Sequence, residues 1–390
     1  SRNCYRNDAG TGNVLNCANR YVRKLIVDAL AFWAEAMRID GFRFDLASLF
    51  TRNENGSINL DDPPVVAEIT GIPALSRLRL IAETWDLASY QLGRSFPETS
   101  WLQWNGQFRD TIRSFVKGDR GTVGLMMARL YGSSDLFPDD LMNAYHAYQS
   151  VNFITSHDGF SLYDLVSYNN KRNEANGHNN QDGTDYKLSW NCGYEGDDQV
   201  PESVRRLRKQ QIKNFFCLLM LSNGTPMFCA GDEFMNTRHG NNNPYNQDNE
   251  TVWLDWSLLG RNADVFRFFK KMIAFRKDHP SISRSRFWRD DVRWYGVTGP
   301  PDTSDDSHAF AYSLHGRSVN DDDLYVMVNA WWEDLKFEIQ DTTGIPWQIV
   351  VDTAQDSPKD ILDSGDRIRV RTASVDVPAR SIAVLIRKSV

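Results

Sequence analysis

Between residues 21 and 37 the apolar positions recur at the spacing of a helix, and directly afterwards they begin to alternate. The helical face consists of Val22, Leu25, Ile26, Ala29, Trp33 and Met37. Asn19 precedes this stretch, and its side chain suits the N-cap position, where it accepts a hydrogen bond from a free backbone N–H. The residues that follow, "RIDGFRFD", alternate in polarity as a strand does. We therefore predict a helix from about Tyr21 to Met37 that leads directly into a strand.

Three further apolar runs have the character of strands. They are "RLRLIAETWD", "SVNFITSHDG" and "GTPMFCAGDE", and each stays apolar until its carboxyl end, where acids or His appear together. Helical periodicity is found near 64–77, 109–117, 203–221 and 263–277, and another strand is expected near "WLQWNGQF". Apolar strands that alternate with amphipathic helices indicate a parallel sheet buried on both faces. Functional groups at the carboxyl ends of such strands are typical of a (β/α)8 TIM-type barrel.

Beyond about Arg286 the pattern changes to short alternating runs separated by Asp, Gly, Pro and Ser. The runs are "HAFAYSL", "DLYVMVNAWW", "LKFEIQ", "WQIVVDT", "RIRVRT" and "SIAVLI". Such runs are typical of an antiparallel β-sandwich. Pro280 marks the end of the preceding helix, because proline cannot continue it. We predict an α/β chain with a catalytic (β/α) barrel domain over 1–285 and a C-terminal β-sandwich domain over 286–390.

The stretch from 169 to 202 has no hydrophobic period and is long for a connection between elements. Two interpretations fit it, a disordered segment or a functional loop. Its place directly after a strand that ends in His157 and Asp158 favours the functional loop.

Composition excludes several classes of protein. The chain has 390 residues, a net charge of −7 and 41% hydrophobic residues, so it can bury a large core. No apolar run reaches the roughly 20 residues of a membrane span, and the N-terminus lacks the apolar core of a secretory signal. The acidic balance argues against nucleic acid as a partner. Five cysteines without Cys-x-x-Cys spacing indicate neither a zinc site nor a disulfide framework, and they favour a reducing compartment.

Tryptophan is the unusual part of the composition, with 12 residues. Trp85 and Trp190 stand among Gly, Asn and Asp, in surroundings typical of loops. Flat apolar rings beside amides and carboxylates suit sugars, whose C–H faces stack on aromatic side chains while their hydroxyls form hydrogen bonds. Both residues are therefore candidate sugar platforms, with packing in the core as the alternative.

The stretch "GFRFDLAS" at 41–48 places a cation and an acid two residues apart in an apolar run. In a strand Arg43 and Asp45 share one face, and Phe42 and Phe44 share the other. A buried carboxylate is costly without a cation beside it. From this stretch alone, a structural ion pair and a functional pair are equally good interpretations.

Together with "IAETWD" and "TSHDG", the stretch "GFRFDLA" resembles three of the four signature segments of the α-amylase superfamily, glycoside hydrolase family 13. The segments "GNVLN", "LSWNCGYEG" and "GNNNPYNQDN" are similar to those of the isoamylase-type debranching enzymes of starch and glycogen metabolism. The likeness covers most of residues 10 to 285, and "VPARSIAVL" is similar to the final strand of that family's C-terminal sandwich.

The resemblance implies a role for each of five residues. Asp45 is the expected nucleophile of a retaining glycosidase, and Glu83 is the expected general acid and base. Arg43 holds Asp45 ionised, while Glu83 stays protonated through burial or nearby negative charge, which Asp158 could supply. Asp158 also steadies the distorted sugar, and His157 binds a sugar hydroxyl. No cofactor is implied, and a bound Ca²⁺ is left undecided.

The expected substrate is a branched α-glucan, glycogen or starch, whose α-1,6 linkages are hydrolysed. Two alternatives stay open. One is an α-1,4-acting amylase or glucanotransferase of the same superfamily, and the other is a non-catalytic glucan-binding or regulatory subunit. A homo-oligomer and a hetero-oligomer are both compatible with the sequence, and the expected location is intracellular, in a bacterial cytoplasm or the plastid stroma.

The chain departs from the family at its beginning. The first signature segment is not found before Asp45, and the stretch before "IDGF" accommodates one loop and one helix. The first three barrel strands are therefore not found. We expect the chain to be the C-terminal part of a longer enzyme.

Overall fold

The computed structural model of the chain describes residues 5–185, 187–340 and 343–389. The α-helices are α1 Arg20–Glu35, α2 Pro64–Thr70, α3 Gly106–Lys117, α4 Val123–Leu130, α5 Leu162–Leu165, α6 Glu202–Leu221, α7 Ser257–Arg261 and α8 Ala263–Asp278. The strands are β1 Gly41–Phe44, β2 Arg79–Ala82, β3 Leu102–Trp104, β4 Ser150–Phe153, β5 Thr225–Met227, β6 Val292–Tyr295, β7 Ala309–Leu314, β8 Asp323–Asn329, β9 Leu335–Glu338, β10 Gln348–Asp352, β11 Ile368–Arg369, β12 Ser374–Val377 and β13 Ser381–Arg387.

Within the described part of the chain, the strands form three sheets. One has five strands in the order β1-β2-β3-β4-β5, which is also their order in the chain. The pairs β1·β2, β2·β3 and β3·β4 are parallel. The others are a six-stranded sheet, β11-β10-β13-β8-β7-β6, and the two-stranded sheet β12-β9, whose pairs are antiparallel. The α/β fold with a parallel sheet is confirmed, while closure into a barrel stays a prediction.

The chain divides into two compact units. The first comprises Ser1–Asn105 and Ser133–Val151, and the second comprises Gly106–Gly132 and Asn152–Val390. The antiparallel strands share the second unit with helices α3 to α8. The boundary predicted at 285/286 coincides with the change from helices to antiparallel strands and stays a prediction about domains.

The core of the first unit lies where β1 and β2 meet α1 and α2. Phe44 stacks on the fully buried Trp101 with 4.6 Å between ring centroids, and Phe42 packs against the same cluster. Trp101 is therefore a core residue. The predicted separation of the two phenylalanines from Arg43 and Asp45 is confirmed.

Helix α1 begins as predicted, because Asn19 accepts a hydrogen bond from the N–H of Tyr21. Its buried stripe differs from the predicted one. Leu30 is buried and Ile26 packs on the core of the unit, whereas Leu25 and Trp33 are 63% and 47% exposed. Residues at helical spacing can face solvent as well as a core, and the pattern alone does not distinguish the two.

In the second unit the strands β7, β8 and β13 of the six-stranded sheet are buried on both faces. Alternate residues such as Phe310 and Val326 join a core with α6 and α8, where Phe216 stacks on Phe269 at 3.6 Å. The intervening residues join a separate cluster with Phe337 of β9 and Val377 of β12. This double burial explains why β7, β8 and β13 are apolar along nearly their whole length.

Candidate active site

The two carboxylates expected to carry the chemistry follow neighbouring parallel strands of the first unit. Glu83 comes directly after β2, and its backbone N–H donates to the carbonyl of Phe44 at 3.1 Å. The chain then turns after β1 because Leu46 adopts the left-handed conformation, with φ 44° and ψ 49°. The turn allows the N–H of Ala47 to donate to the Glu83 carbonyl at 2.7 Å. The two strand ends are therefore joined by backbone hydrogen bonds on both sides of Glu83.

One guanidinium group bridges both carboxylates. Arg43 Nη1 is 2.5 Å from Asp45 Oδ1, and Arg43 Nη2 is 2.8 Å from Glu83 Oε2. The contact with Asp45 is a hydrogen bond, whereas the contact with Glu83 is an ion pair without hydrogen-bond alignment. The sequence predicts the pair with Asp45 and misses the pair with Glu83, because the latter joins two strands.

Glu83 is 2% exposed and has a raised pKa of about 7. Burial is the largest cause, since it penalises the charged form. A hydrogen bond from the Leu46 N–H at 2.8 Å and the charge of Arg43 both lower the pKa, and the charge of Asp45 raises it. The nearby negative charge that raises the pKa of Glu83 is thus that of Asp45, whereas the sequence analysis named Asp158 for this role.

Asp45 differs from Glu83 in its exposure. Its side chain is 68% exposed, while that of Glu83 is 3% exposed. One carboxyl group is open to an approaching molecule, and the other is enclosed and able to hold a proton near neutral pH. Two carboxyls in such different environments are suited to different tasks in an acid–base reaction.

In the first unit a group of aromatic rings adjoins Arg43. Trp104, at the end of β3, lies beneath Arg43, with 4.1 Å between the guanidinium carbon and the ring centroid. Trp85 is partly buried, with ring centroids 6.4 Å from Trp104 and 6.0 Å from Tyr90. Tyr90 is 47% exposed. Trp85 therefore belongs to an aromatic group that reaches the surface, as a sugar platform requires.

His157 and Asp158 follow β4 in the second unit. Their side chains are 55% and 68% exposed, and His157 Nε2 is 3.4 Å from Asp158 Oδ2. Arg238 Nη1 donates to the carbonyl of His157 at 3.0 Å and to that of Gly159 at 3.1 Å. The turn is thus held by its backbone carbonyls, and both side chains are more than half exposed.

Asp232 anchors the same region from within the core. It is 2% exposed, accepts a hydrogen bond from the Leu162 N–H at 2.9 Å and accepts another from the hydroxyl of Thr155. Burial raises its pKa to about 6. Asp232 thus has a structural role, because it ties residues 155 and 162 together.

The long stretch from 169 to 202 is held by asparagine side chains. Asn173 and Asn242 exchange two hydrogen bonds of 2.9 Å. Asn176 donates to Asp182 at 2.7 Å and accepts from Asn241 at 2.8 Å. Where the structure describes it, this stretch is an ordered loop cross-linked to residues 240–247. The alternative of disorder is wrong for these residues.

Trp190 is the predicted platform whose surroundings fit least well. Its ring packs against the core of the second unit, and the guanidinium of Arg380 lies 4.2 Å from the ring centroid. A face covered in this way is closed to a sugar. We therefore leave Trp190 out of the candidate site and keep Trp85.

Within the described residues, no group of three or more His, Cys, Asp or Glu is arranged to hold a metal ion. Cys17, Cys192, Cys217 and Cys229 are free thiols, and Cys4 lies outside the described residues. No helix in the described part of the chain is both long and apolar enough to cross a membrane.

Comparison with known proteins finds relatives along almost the whole chain. The family described as Isoamylase 1-3, C-terminal, matches residues 293–383. The glycogen operon protein GlgX homolog of Mycobacterium tuberculosis is 39% identical over 98% of this chain and 55% of that protein. Isoamylase 3, chloroplastic, of Oryza sativa subsp. japonica is 41% identical over 92% of this chain and 45% of that protein. The chain spans about half the length of the curated relatives it matches.

Solved structures give the same picture of the fold. The pullulanase from Bacillus acidopullulyticus superposes with a TM-score of 0.72 at 20% identity, covering 98% of this chain and 42% of that one. Pullulanase type I from Bacillus subtilis, solved with maltose, also gives 0.72 at 21% identity, covering 99% of this chain and 49% of that one. At these identities the likeness establishes the α/β fold with its parallel and antiparallel sheets.

Proposed function

The chain belongs to the isoamylase-type branch of the α-amylase superfamily, and from this membership we propose that its polypeptide hydrolyses α-1,6 branch linkages in glycogen or amylopectin. The observation that carries the proposal is the pair of carboxyls bridged by Arg43, one exposed and one buried with a raised pKa. The names of the relatives support the substrate class. Because these relatives are longer than this chain, the activity of the whole protein is also part of the proposal.

In the proposed mechanism Glu83 begins protonated and gives its proton to the oxygen of the scissile linkage. Asp45 attacks the anomeric carbon as this bond breaks, which leaves a covalent glycosyl–Asp45 ester. Glu83, now ionised, takes a proton from water, and the resulting hydroxide displaces Asp45 from the sugar. Two displacements at one carbon retain its configuration, and Glu83 recovers its proton at the end.

Arg43 has a distinct part in this sequence. Its ion pair with Asp45 orients that carboxylate for attack, and its charge limits how far burial raises the pKa of Glu83. A pKa of about 7 leaves Glu83 a competent acid and, after the first step, a competent base near neutral pH. One cation thus serves both carboxyls.

The remaining roles follow from exposure and chemistry. His157 donates a hydrogen bond to a sugar hydroxyl, and Asp158 stabilises the positive charge of the transition state. Trp85 stacks on a sugar face. We further propose that the parallel strands belong to a (β/α) barrel domain up to residue 285, followed by a β-sandwich domain. The chloroplastic and bacterial relatives support the plastid stroma or a bacterial cytoplasm as the compartment.

The deciding experiment measures reducing-end release from amylopectin and from linear amylose by the polypeptide that carries this sequence. We expect release from amylopectin alone, and none in Asp45→Asn. Release from amylose at a similar rate would instead establish an α-1,4-acting enzyme. Binding of both glucans by a cooperatively folded protein, with no release from either, would establish a glucan-binding subunit.

A further inference from the structure

The second unit contains a large polar cleft that the proposed chemistry does not use. It has a volume of about 810 Å³ and lies between the first half of α6, the residues that precede α7, and the start of α8. Its size falls in the range of small-molecule sites. The residues that line it include none of the predicted catalytic residues.

The charges in this cleft balance one another. Five Arg and Lys side chains and six carboxylates line it, and most of the cations have an acid beside them. Lys209 Nζ is 2.8 Å from Asp264, Arg206 Nε is 3.6 Å from Glu202, and Arg261 Nη2 is 3.7 Å from Asp255. A site for phosphate or a polyanion needs an excess of cations, which is missing here. Paired charges instead offer donors and acceptors side by side, and this suits a neutral ligand with many hydroxyls.

An exposed aromatic ring stands at the same cleft. Trp253 is 59% exposed, although it is a large apolar side chain. Its indole N–H donates to Asp248 Oδ1 at 3.1 Å, which fixes the edge of the ring and leaves the apolar surface in solvent. A ring restrained in this way loses less conformational freedom when it stacks on a ligand.

The buried part of the cleft contains a hydrogen-bond acceptor that has no donor within the described residues. Asp197 Oδ1 is buried and accepts no hydrogen bond within the described residues, and Arg208 Nη1 lies 3.8 Å away. Arg208 itself is 1% exposed. Buried oxygens normally have a donor, so a hydroxyl that enters the cleft would supply one to Asp197.

We propose that this cleft is a second, non-catalytic carbohydrate-binding site, in which Trp253 stacks on a sugar ring and the surrounding ion pairs bind its hydroxyls. The choice of an α-glucan chain as the occupant rests on the proposed function. The site would hold one part of a branched polymer while another part is cleaved. It would thereby raise the local concentration of linkages without touching the reaction.

The test counts binding sites in a protein that cannot cleave. Maltoheptaose is titrated calorimetrically into the Asp45→Asn chain, with and without Trp253→Ala. We expect the second substitution to remove one site per chain and to weaken retardation in glycogen-containing gels by about tenfold, as loss of a central tryptophan does. Trp256→Ala is the matched control, because Trp256 is 64% exposed in the same segment but does not line the cleft. Thermal melts of all variants check folding.

Three results would overturn the inference. The number of sites could stay unchanged in Trp253→Ala, or Trp256→Ala could reduce it equally. Glucose 1-phosphate could raise the melting temperature through Trp253 while maltoheptaose does not, which would make the cleft an anion site. Hydrolysis is measured separately. A protein that cleaves amylopectin yet keeps all its sites in Trp253→Ala refutes only this inference, and one that loses a site yet never cleaves refutes only the proposed function.

Discussion

The guanidinium carbon of Arg43 lies over the indole of Trp104, 4.1 Å from the ring centroid. The contact holds in place the guanidinium that meets both Asp45 and Glu83. A ring face attracts a guanidinium by on the order of 1 kcal/mol, and by more when water is excluded. Trp104 is therefore a positioning residue for the proposed reaction.

We expect Trp104→Leu to lower kcat by about tenfold, because the lost attraction frees the guanidinium to leave the carboxyls. Trp104→Phe keeps an aromatic face and should retain most of the activity. The pH profile separates this role from a purely structural one. In the Leu variant the apparent pKa of Glu83 should move upward, since Arg43 lowers it in the native protein. Equal losses in both variants, with an unmoved profile, would contradict the assignment.

Arg43 itself gives a sharper pair of variants. Arg43→Gln removes the charge, so the apparent pKa of Glu83 should rise and turnover should fall by on the order of a hundredfold or more. Arg43→Lys keeps the charge but cannot span two carboxyls with a planar fork. It should lose turnover while keeping the pKa of Glu83 nearer its native value. Arg79→Gln, an exposed position in β2, serves as the control and should change neither quantity.

Glu83 predicts how activity and stability respond to pH. Its pKa is raised from the ordinary 4.5 to about 7, so kcat/KM should fall as pH rises through about 7. The folded state also binds the proton more tightly than the unfolded state does. Its contribution to the free energy of unfolding is therefore complete below pH 4.5 and lost as pH rises to 7, on the order of 3 kcal/mol in all.

Glu83→Gln tests both consequences. The variant should lose the alkaline limb of the activity profile and the matching slope in urea unfolding. It should also spare substrates with good leaving groups more than natural glucan, because these need less proton donation. A variant that keeps the native pH profile would show that another group supplies the proton.

Asp45→Asn should lower the turnover rate by on the order of a thousandfold or more, because an amide cannot form the covalent ester. The side chain is 68% exposed, so the melting temperature should hardly change, as for most surface substitutions. Rates on a branched oligosaccharide together with a thermal melt are sufficient. Turnover that survives in a folded variant would exclude Asp45 as the nucleophile.

Two glycines test how a steric clash and the backbone conformation each affect stability. A Cβ on Gly93 would lie 2.2 Å from the carbonyl oxygen of Leu136, and φ is +69°. Gly93→Ala should therefore destabilise the protein by several kcal/mol. Gly193 has φ +90°, and a Cβ at this position would have no atom of the described residues within 4 Å. Gly193→Ala should therefore lower the free energy of unfolding by about 1 kcal/mol, from the backbone conformation alone. Denaturant midpoints compare the two, and similar losses would contradict the steric argument.

The sequence predicts much of this arrangement for identifiable reasons. Runs of apolar residues that end in acids place Asp45, Glu83 and Asp158 at strand ends, and the observed strands end within a few residues of them. The alternation in β1 correctly separates Phe42 and Phe44 from the charged face. These signals are local, and local periodicity survives in the chain without knowledge of its neighbours.

What the sequence does not predict depends on contacts between distant residues. Trp104 lies under Arg43 only because β3 and β1 belong to one sheet, and no spacing in the chain indicates this. The hydrogen bond from the Leu46 N–H to Glu83 depends on the left-handed conformation of Leu46. Because this residue is not a glycine, the sequence does not indicate the turn. The exposed face of α1 and the covered ring of Trp190 were likewise beyond any pattern, because burial depends on which partner a face meets.

The asparagine cross-links between residues 173–182 and 240–247 also have a consequence for chemical ageing. Asn176 is followed by Gly177, and this dipeptide loses ammonia readily when its side-chain carbonyl carbon can reach the next backbone nitrogen. Here the side chain is 4% exposed and bonded at both ends, and the Gly177 N–H donates to Glu174. The attacking nitrogen and the carbon it attacks are both restrained. Folding therefore protects the Asn176 side chain from deamidation. The rate at which Asn176 is converted to aspartate would report on how often the loop opens.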